Sequence, residues 1–232
     1  MSICIIPARG GSKRIPRKNI RKFCGRPMLS WPIKAALDSG CFDRIIISTD
    51  DDEIAMVAEE AGAEAPFRRS AELADDYTPT VPVIVDTIAQ LNLPDLTPVC
   101  CLYATSPFVT ATDLRSGLEC LEETGANFVV SVTTYAFPIQ RALRRNQHGE
   151  VAMFDTAQMQ TRSQDLEEAW HDAGQFYWGK AAKWKTTAGI FGDGSQGLVL
   201  PRHRVQDIDT NEDWQRAEQM MRLLQLDSAL WT

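Results

Sequence analysis

The sequence lacks the features of a disulfide-bonded or membrane-spanning protein. It contains no C-x-x-C pair, and several of its six cysteines fall inside apolar runs, where we expect reduced, packed thiols. No apolar run approaches the roughly 18 residues of a membrane-spanning helix, and the N-terminus shows no leader pattern. These absences predict a cytoplasmic protein without a membrane partner.

Two familiar nucleotide-binding motifs are missing from the most basic segment of the chain. That segment, IIPARGGSKRIPRKNI at residues 5–20, lacks the second glycine that a G-x-x-x-x-G-K-[ST] loop requires. It also lacks the G-x-G-x-x-G spacing of a dinucleotide-binding turn. A P-loop kinase or nucleotidase and a dinucleotide enzyme are therefore disfavoured.

Positive charge is scarce overall but concentrated at the start of the chain. Lys and Arg number 24 against 31 Asp and Glu, and the formal net charge of -7 gives no general support for binding nucleic acid or a membrane. The residues that precede the first carboxylate, Asp38, nevertheless include Arg9, Lys13, Arg14, Arg17, Lys18, Arg21, Lys22, Arg26 and Lys34. This asymmetry predicts a small anionic ligand near residues 9–26.

What the chain does contain is an alternation of short apolar runs and helical patterns. Buried strands are predicted at SICIIP, RIIIST, PVCCLYATSP and NFVVSVT, with helical spacing between them. The alternation predicts a single α/β domain over residues 1–232, with a Rossmann-like, mostly parallel sheet and helices on both faces. Ligands in such sheets bind beyond the carboxyl ends of the strands, which here means residues 8–18, 48–50 and 104–107.

Capping residues predict where several helices begin. One helix is expected to be capped from Thr80 and another at Thr112. Thr210 and Asp213 fit a capping box for a helix at the end of the chain.

The alternation lapses over residues 134–172, which form a polar, aromatic and Gln-rich stretch. This stretch is too long for a simple loop in a compact domain. We interpret it as an inserted lobe that forms a dimer contact or a lid. Strand character resumes at GQFYWG and GLVL.

The glycine-containing loop and a pair of acids near the C-terminus are the candidate chemical groups. Consecutive glycines let backbone N–H groups approach an anion, and Arg9, Lys13 and Lys18 add charge where a polyphosphate would lie. The alternative is a solvated basic loop. In QDIDTNEDW, Asp207 and Asp209 alternate by two, so both carboxylates point to one side and suit a hard cation such as Mg²⁺. Alternatively, they favour the next helix N-terminus through its dipole.

Five segments together resemble the acylneuraminate cytidylyltransferases, which activate nine-carbon acidic sugars as CMP derivatives. The segments are IIPARGGSKRIPRKNI, IIISTDDDEIA, FRRSAELADD, ATSPF and QDIDTNEDW, and the resemblance covers residues 3–220. It implies that CTP and an acidic nine-carbon sugar are the substrates and that Asp207 and Asp209 bind Mg²⁺. It also suggests a homodimer in which the lobe reaches the partner's site.

The resemblance implies roles for individual residues on the nucleotide side. Arg9 and Lys18 are the expected catalytic cations, with Lys18 facing the α-phosphate. The expected nucleotide-binding residues are Ala8, Arg9, Gly10, Gly11, Ser12, Lys13, Asn19, Arg69 and Thr80.

The sugar side is expected to include Thr105 and Ser106 of ATSPF. Because the sugar is anionic, Arg162 or Arg141 is a candidate for binding its carboxylate, and the alternative is that each only supports the lobe. The segment GQFYWG offers further side chains that could contact acetamido groups of the sugar. The alternative is that these side chains are ordinary core residues. These candidates are Gln175, Phe176 and Tyr177.

Two further segments, NIRKFCGRPML and TRSQDLEEAWHDAGQFYWG, most resemble the bacterial branch that activates pseudaminic acid. Tyr103 and Ala104 stand where sialic acid enzymes have Gln-Pro, which argues for another sugar. Sialic and legionaminic acids remain open as substrates, and so does a noncatalytic nucleotide-binding domain. His171, beside Asp172, is either a general base or a structural histidine.

Overall fold

A central sheet organises the structure, a computed structural model that describes residues 1–186 and 189–226. In chain order the strands are β1 (Ile3–Pro7), β2 (Lys22–Phe23), β3 (Arg26–Pro27), β4 (Arg44–Ser48), β5 (Pro98–Leu102), β6 (Phe128–Thr134), β7 (Leu143–Arg145), β8 (Val151–Met153), β9 (Trp170–Lys180) and β10 (Ser195–Val199). Six of them form the main sheet in the order β10-β6-β9-β5-β1-β4. The pairs β2–β3 and β7–β8 form separate two-stranded sheets.

The main sheet is mostly parallel, as predicted. β1 pairs in parallel with β4 and β5, and β10 pairs in parallel with β6. β9 alone runs antiparallel to its neighbours, β5 and β6. Its first residues therefore lie at the edge where the parallel strands end, and Trp170 pairs with Thr134, the last residue of β6.

Helices cover both faces of the sheet, which confirms the predicted α/β architecture. They are α1 (Ser30–Ser39), α2 (Asp52–Glu60), α3 (Thr80–Gln90), α4 (Ala111–Thr124), α5 (Ala181–Trp184) and α6 (Asn211–Leu226). Alternate residues of β1 enter different cores, since Cys4 and Ile6 pack with α1, α2 and α4, whereas Ile3 and Ile5 pack with α3 and α5. No helix in the described ranges is long and apolar enough to cross a membrane.

Two of the predicted helix caps are wrong. α3 has Pro79 as its N-cap, and Thr80 is the first helical residue. α4 is capped by Thr110 rather than Thr112, because Thr110 forms a capping box with Asp113 three residues later. The predicted capping box at the start of α6 is confirmed, because Thr210 N and Asp213 N each bond to the other residue's side chain.

The segment between β6 and β9 comprises residues 135–169, a little shorter than the predicted lobe. It contains the β7–β8 hairpin and two 3₁₀ turns, Ile139–Arg141 and Ser163–Asp165. Several of its apolar side chains are exposed, including Phe137, Leu143, Val151 and Phe154.

A glycine-rich string near β10 is not a dinucleotide-binding turn. GDGSQG, residues 192–197, matches G-x-G-x-x-G. The string leads into β10, whereas the dinucleotide-binding fingerprint leads out of a strand and into a helix.

A third apolar cluster joins the beginning of the chain to α6. Phe23 lies edge-to-face against Trp214, with ring centroids 5.5 Å apart. Ile15, Ile208 and Met221 are buried in the same cluster. Because this cluster packs residues from both ends of the described chain, it holds the basic loop beside the segment that contains Asp207 and Asp209.

Candidate active site

A cleft opens at the carboxyl ends of β1 and β5. Two cavities of about 430 and 380 Å³ adjoin there and share Lys18, Tyr103 and Thr105 in their walls. We call the larger one the basic cavity, since Arg9, Lys13, Arg14 and Lys18 line it. We call the smaller one the acidic cavity, since Asp172, Asp207 and Asp209 line it.

The two glycines of the loop after β1 have different surroundings. Gly10 N donates to Asp50 Oδ1 at 2.9 Å, and a Cβ at Gly10 would lie 2.8 Å from Asp51 Oδ2. A Cβ at Gly11 would meet nothing within 4 Å. Gly10 is therefore required by close packing, whereas Gly11 leaves open space beside the backbone.

Backbone contacts hold the rest of the loop in place. Ala8 N donates to Ser48 O at 2.9 Å, which ties the loop to the end of β4. Asn19 Nδ2 donates to Arg9 O at 2.9 Å, so Asn19 braces the loop from within. Ser12 and Asn19 both line the basic cavity.

Asp76 pairs with the first two cations of the loop. Arg9 Nη1 donates to Asp76 Oδ1 at 2.5 Å, and Lys13 pairs with Asp76 Oδ2. Hydrogen bonds from Lys13 and then Arg9 lower the pKa of the Asp76 carboxyl. Since all three residues line the basic cavity, a polyphosphate entering it would compete with Asp76 for the same cations.

Lys18 joins the two cavities. Its Nζ donates to Ile208 O at 2.7 Å and contacts Asp209 Oδ1 at 3.3 Å, although Asp209 lies 191 residues further along the chain. Arg14 pairs with the other Asp209 oxygen at 2.7 Å. The predicted convergence of the basic loop and the paired acids is present in the fold.

The Asp207 and Asp209 carboxylates suit a Mg²⁺ ion. Burial and the negative charge of Asp209 raise the pKa of Asp207. The helix-capping role is filled by Asp213, whose Oδ2 accepts from Asp209 N and Thr210 N. Mg²⁺ usually takes one or two protein carboxylates together with substrate phosphates and water, so this pair fits that ion. Across the described part of the chain, no group of three or more His, Cys, Asp or Glu side chains has metal-binding geometry.

Arg69 and Thr80, expected to contact the nucleotide, lie near the basic cavity without lining it. Arg69 is buried at the end of β4, where it donates to Ser48 O and, at 3.2 Å, to Ser48 Oγ. Burial lowers the pKa of its guanidinium. The Thr80 hydroxyl is hydrogen-bonded at 3.1 Å to the hydroxyl of Tyr103, which lines both cavities.

Only some of the expected sugar-binding residues meet at the cleft. Thr105 and Tyr177 line the acidic cavity. Ser106 is buried in the turn after β5, and its hydroxyl donates to Tyr103 O at 2.6 Å.

The remaining expected sugar-binding residues lie elsewhere. Phe176 is fully buried in the core, and Gln175 Nε2 donates to Arg204 O at 2.5 Å. Arg162 is exposed in the segment 135–169 and pairs with Asp165 at 2.7 Å. Its alternative Arg141 lies in the same segment and donates to a backbone oxygen there.

Sequence reasoning missed Asp76 and the full role of Asp172. Asp76 stood in the quoted segment FRRSAELADD, but its contact with Arg9 spans 67 residues and leaves no local pattern. For Asp172, the sequence indicates only that it is the neighbour of His171. Its place on the cavity wall depends on the reversal of β9, which the strand pattern alone does not reveal.

Comparisons with known proteins identify the family of the chain. The family model described as Cytidylyltransferase matches residues 3–228. The chain is 45% identical over 219 residues to a pseudaminic acid cytidylyltransferase from Campylobacter jejuni, with 94% of each chain covered. It is 30% identical to the CMP-N,N'-diacetyllegionaminic acid synthase of Legionella pneumophila, with 96% of this chain and 97% of the other covered.

The fold has a solved counterpart. The structure of CMP:2-keto-3-deoxy-manno-octonic acid synthetase complexed with CTP matches with a TM-score of 0.69, covering 96% of this chain and 98% of the other. At 14% identity, this likeness concerns the Rossmann-like fold alone. The match to the family model and the identity to its relatives show that the chain belongs to the cytidylyltransferase family.

Proposed function

We propose that the protein transfers the cytidylyl group of CTP to pseudaminic acid, an acidic nine-carbon sugar, and releases pyrophosphate. The contact of Lys18 with Asp209 carries the proposal, because it joins a loop suited to phosphates to an acidic pair suited to a metal. The 45% identity to the enzyme of Campylobacter jejuni supports the choice of sugar.

The reaction requires no covalent intermediate on the protein. The anomeric hydroxyl of the sugar attacks the α-phosphorus of CTP and gives its proton to solvent, the bond from that phosphorus to the oxygen that bridges it to the β-phosphorus breaks, and pyrophosphate leaves. Loop N–H groups, Arg9 and Lys13 bind the phosphates, and Lys18 neutralises charge that develops on the α-phosphoryl group. Catalysis comes from positioning and preorganised charge.

Asp207 and Asp209 would hold the magnesium ion. When bound, Mg²⁺ supplies positive charge to phosphate oxygens and neutralises charge on the leaving pyrophosphate. Lys18 keeps Asp209 directed toward the cleft through their contact at 3.3 Å.

Arg69 and Thr80 are the proposed nucleoside contacts. Arg69 is a buried cation at the carboxyl end of β4, the edge where ligands of such sheets bind. Thr80 is tied to the cleft through its hydrogen bond with Tyr103.

We also propose a homodimer in the cytoplasm. The segment 135–169 exposes Phe137 to 82% and Phe154 to 70%, and exposed apolar side chains concentrated in one segment are typical of an interaction surface. Arg162 lies on the same segment, so it would act at the partner's site rather than its own. Six unpaired cysteines fit a reducing compartment.

The test is to incubate the protein with CTP, Mg²⁺ and pseudaminic, legionaminic or sialic acid in turn. We expect pyrophosphate release to be fastest with pseudaminic acid, and phosphorus NMR to detect the new phosphodiester of the CMP-sugar. Equal rates with the three acids would refute the choice of sugar. Release of CDP and phosphate in place of pyrophosphate would refute the cytidylyl transfer itself.

A further inference from the structure

The wall of the acidic cavity contains a carboxylate that the proposed reaction does not use. Asp172 lies near the start of β9, opposite Val132 of β6, and therefore at the edge of the sheet where the site forms. It shares the cavity wall with Lys18, Asp207 and Asp209. Unlike Asp209, which Arg14 and Lys18 contact, Asp172 is held by uncharged hydrogen-bond donors.

These donors hold both oxygens of the Asp172 carboxylate. Gly174 N donates to Oδ1 at 2.8 Å, and the Tyr177 hydroxyl donates to Oδ2. A carboxylate offers about four lone-pair positions, so these two donors leave acceptor capacity on Asp172, which lines the cavity. Gly174 has a φ of 60°, in the left-handed region that favours glycine.

The Tyr177 hydroxyl is a rigidly placed donor. Tyr177 is only 3% exposed, and its ring packs edge-to-face against Tyr103 and Phe191 with centroids 5.7 and 6.1 Å away. Burial raises the pKa of Tyr177, and the neighbouring Asp172 carboxylate raises it further. The hydroxyl therefore keeps its proton at neutral pH and continues to donate to Asp172.

The chemistry of the two cavities divides the substrates between them. Phosphates suit the basic cavity. Among the residues that the structure describes, the acidic cavity is lined by three carboxylates and by Lys18, the one cation in its wall. A nine-carbon sugar carries hydroxyl and acylamido N–H groups, which donate hydrogen bonds to a carboxylate. The acidic cavity, at about 380 Å³, lies within the size range of small-molecule sites.

We propose that Asp172 determines sugar specificity by accepting a hydrogen bond from a hydroxyl or acylamido N–H of the sugar, and that Tyr177 positions the Asp172 carboxylate. This inference rests on the proposed function. A site built to accept such a bond discriminates strongly against analogues that lack the donor, because its polar group is then left unpaired.

The first test is Asp172→Asn, which keeps the side-chain shape but removes the charge and one acceptor. We expect the KM for the sugar to rise about 10- to 100-fold, the range for losing a hydrogen bond to a charged group. The kcat, the KM for CTP and the Mg²⁺ concentration for half-maximal activity should each stay within about twofold of the value for the parent protein. The Kd of the sugar from calorimetry should rise in parallel with its KM.

The second test separates positioning from direct contact by Tyr177. Tyr177→Phe deletes only the hydroxyl and should raise the KM for the sugar about three- to tenfold, the value of one hydrogen bond. In the double variant with Asp172→Asn, the second change should have no further effect. Tyr77→Phe deletes the hydroxyl of a tyrosine that is 90% exposed and lines neither cavity, and it is the matched control.

Three outcomes would overturn the inference while the parent protein still releases pyrophosphate. An unchanged KM for the sugar in Asp172→Asn would exclude sugar binding by this residue. A fall in kcat alone would make Asp172 a proton acceptor, and a shifted Mg²⁺ requirement would make it a metal ligand. A parent protein that neither binds the sugar nor releases pyrophosphate would refute the proposed function and this inference with it.

Discussion

Lys18 is the cation with the strongest claim to a direct role, because its Nζ contacts Ile208 O and Asp209 while its side chain lines both cavities. We predict that Lys18→Ala lowers kcat/KM by about 10²- to 10³-fold, as loss of one preorganised charge usually does. Pyrophosphate release measures the rate, and thermal unfolding checks that the variant is folded.

Lys22→Ala is the matched control, since Lys22 is an exposed lysine just after the basic segment and lines neither cavity. Its kcat/KM should equal that of the parent protein. A similar loss in both variants would mean that general positive charge, rather than the place of Lys18, supports the reaction.

We expect Asp76 to compete with CTP for the cations of the loop, because it pairs with both Arg9 and Lys13. We predict that Asp76→Asn lowers the Kd for CTP about two- to fivefold, a modest change because exposed ion pairs are weak. Calorimetry measures the Kd. Asp95→Asn, which removes a surface pair with Lys185, should leave it unchanged. Weaker binding of CTP by Asp76→Asn would show that Asp76 assists the nucleotide.

The sequence was sufficient to predict the residues whose signal is local. The run from Arg9 to Lys18 is visible as a cluster of charge, and the spacing of Asp207 and Asp209 is visible as an alternation. Phe176 follows the alternative of an ordinary core residue. The place of Asp172 was beyond reach, because the strand pattern marks β9 as buried but not which way it runs. The reversal of β9 places Asp172 at the site, while Phe176 enters the core.

The start of α4 offers a direct test of the corrected cap. Thr110 Oγ1 accepts from Asp113 N at 3.2 Å, whereas the Thr112 hydroxyl accepts from Arg115 on the surface. We predict that Thr110→Ala lowers the free energy of unfolding by about 1 kcal/mol and that Thr112→Ala changes it by less than about 0.5 kcal/mol. Urea unfolding measures both, and the reverse order would restore Thr112 as the cap.

The same helix start anchors the segment that leads to the acidic pair. Arg204 donates to both oxygens of Asp113, at 2.9 Å to Oδ1, and this pair is largely buried. A buried, bidentate contact between an arginine and a carboxylate fixes the relative orientation of the two side chains. Residues 205–209, which follow Arg204 in the chain, therefore start from a fixed position beside the start of α4.

The cap at Thr110 was predictable in principle, since Thr110 and Asp113 have the T-x-x-D spacing of a capping box and Thr112 has Arg115 at that distance. The pairing of Arg204 with Asp113 spans 91 residues and has no counterpart in local sequence. Periodicity predicts where helices and strands lie, but it does not predict the residues at which they begin and end. Periodicity averages over many residues, whereas an end depends on one or two contacts.

The exposed apolar residues of the segment 135–169 bear on assembly. We predict that the protein is a dimer in sedimentation at micromolar concentration and that the double variant Val151→Asp, Phe154→Asp is a monomer, because buried charge opposes an apolar interface. Val151 and Phe154 are 63% and 70% exposed in the single chain. Leu96→Asp, at an equally exposed leucine of the α3–β5 turn, should leave the dimer intact. A monomeric parent protein would contradict the proposed assembly.

The separation of Lys18 from Asp209 also has a consequence for biosynthesis. The ribosome must add 191 residues after Lys18 before it has made Asp209, the acid that faces this lysine. A nascent chain that has reached only β10 thus carries the cations of the loop without the acidic pair that faces them. The contact between Lys18 and Asp209 therefore forms only after all six strands of the main sheet have been made.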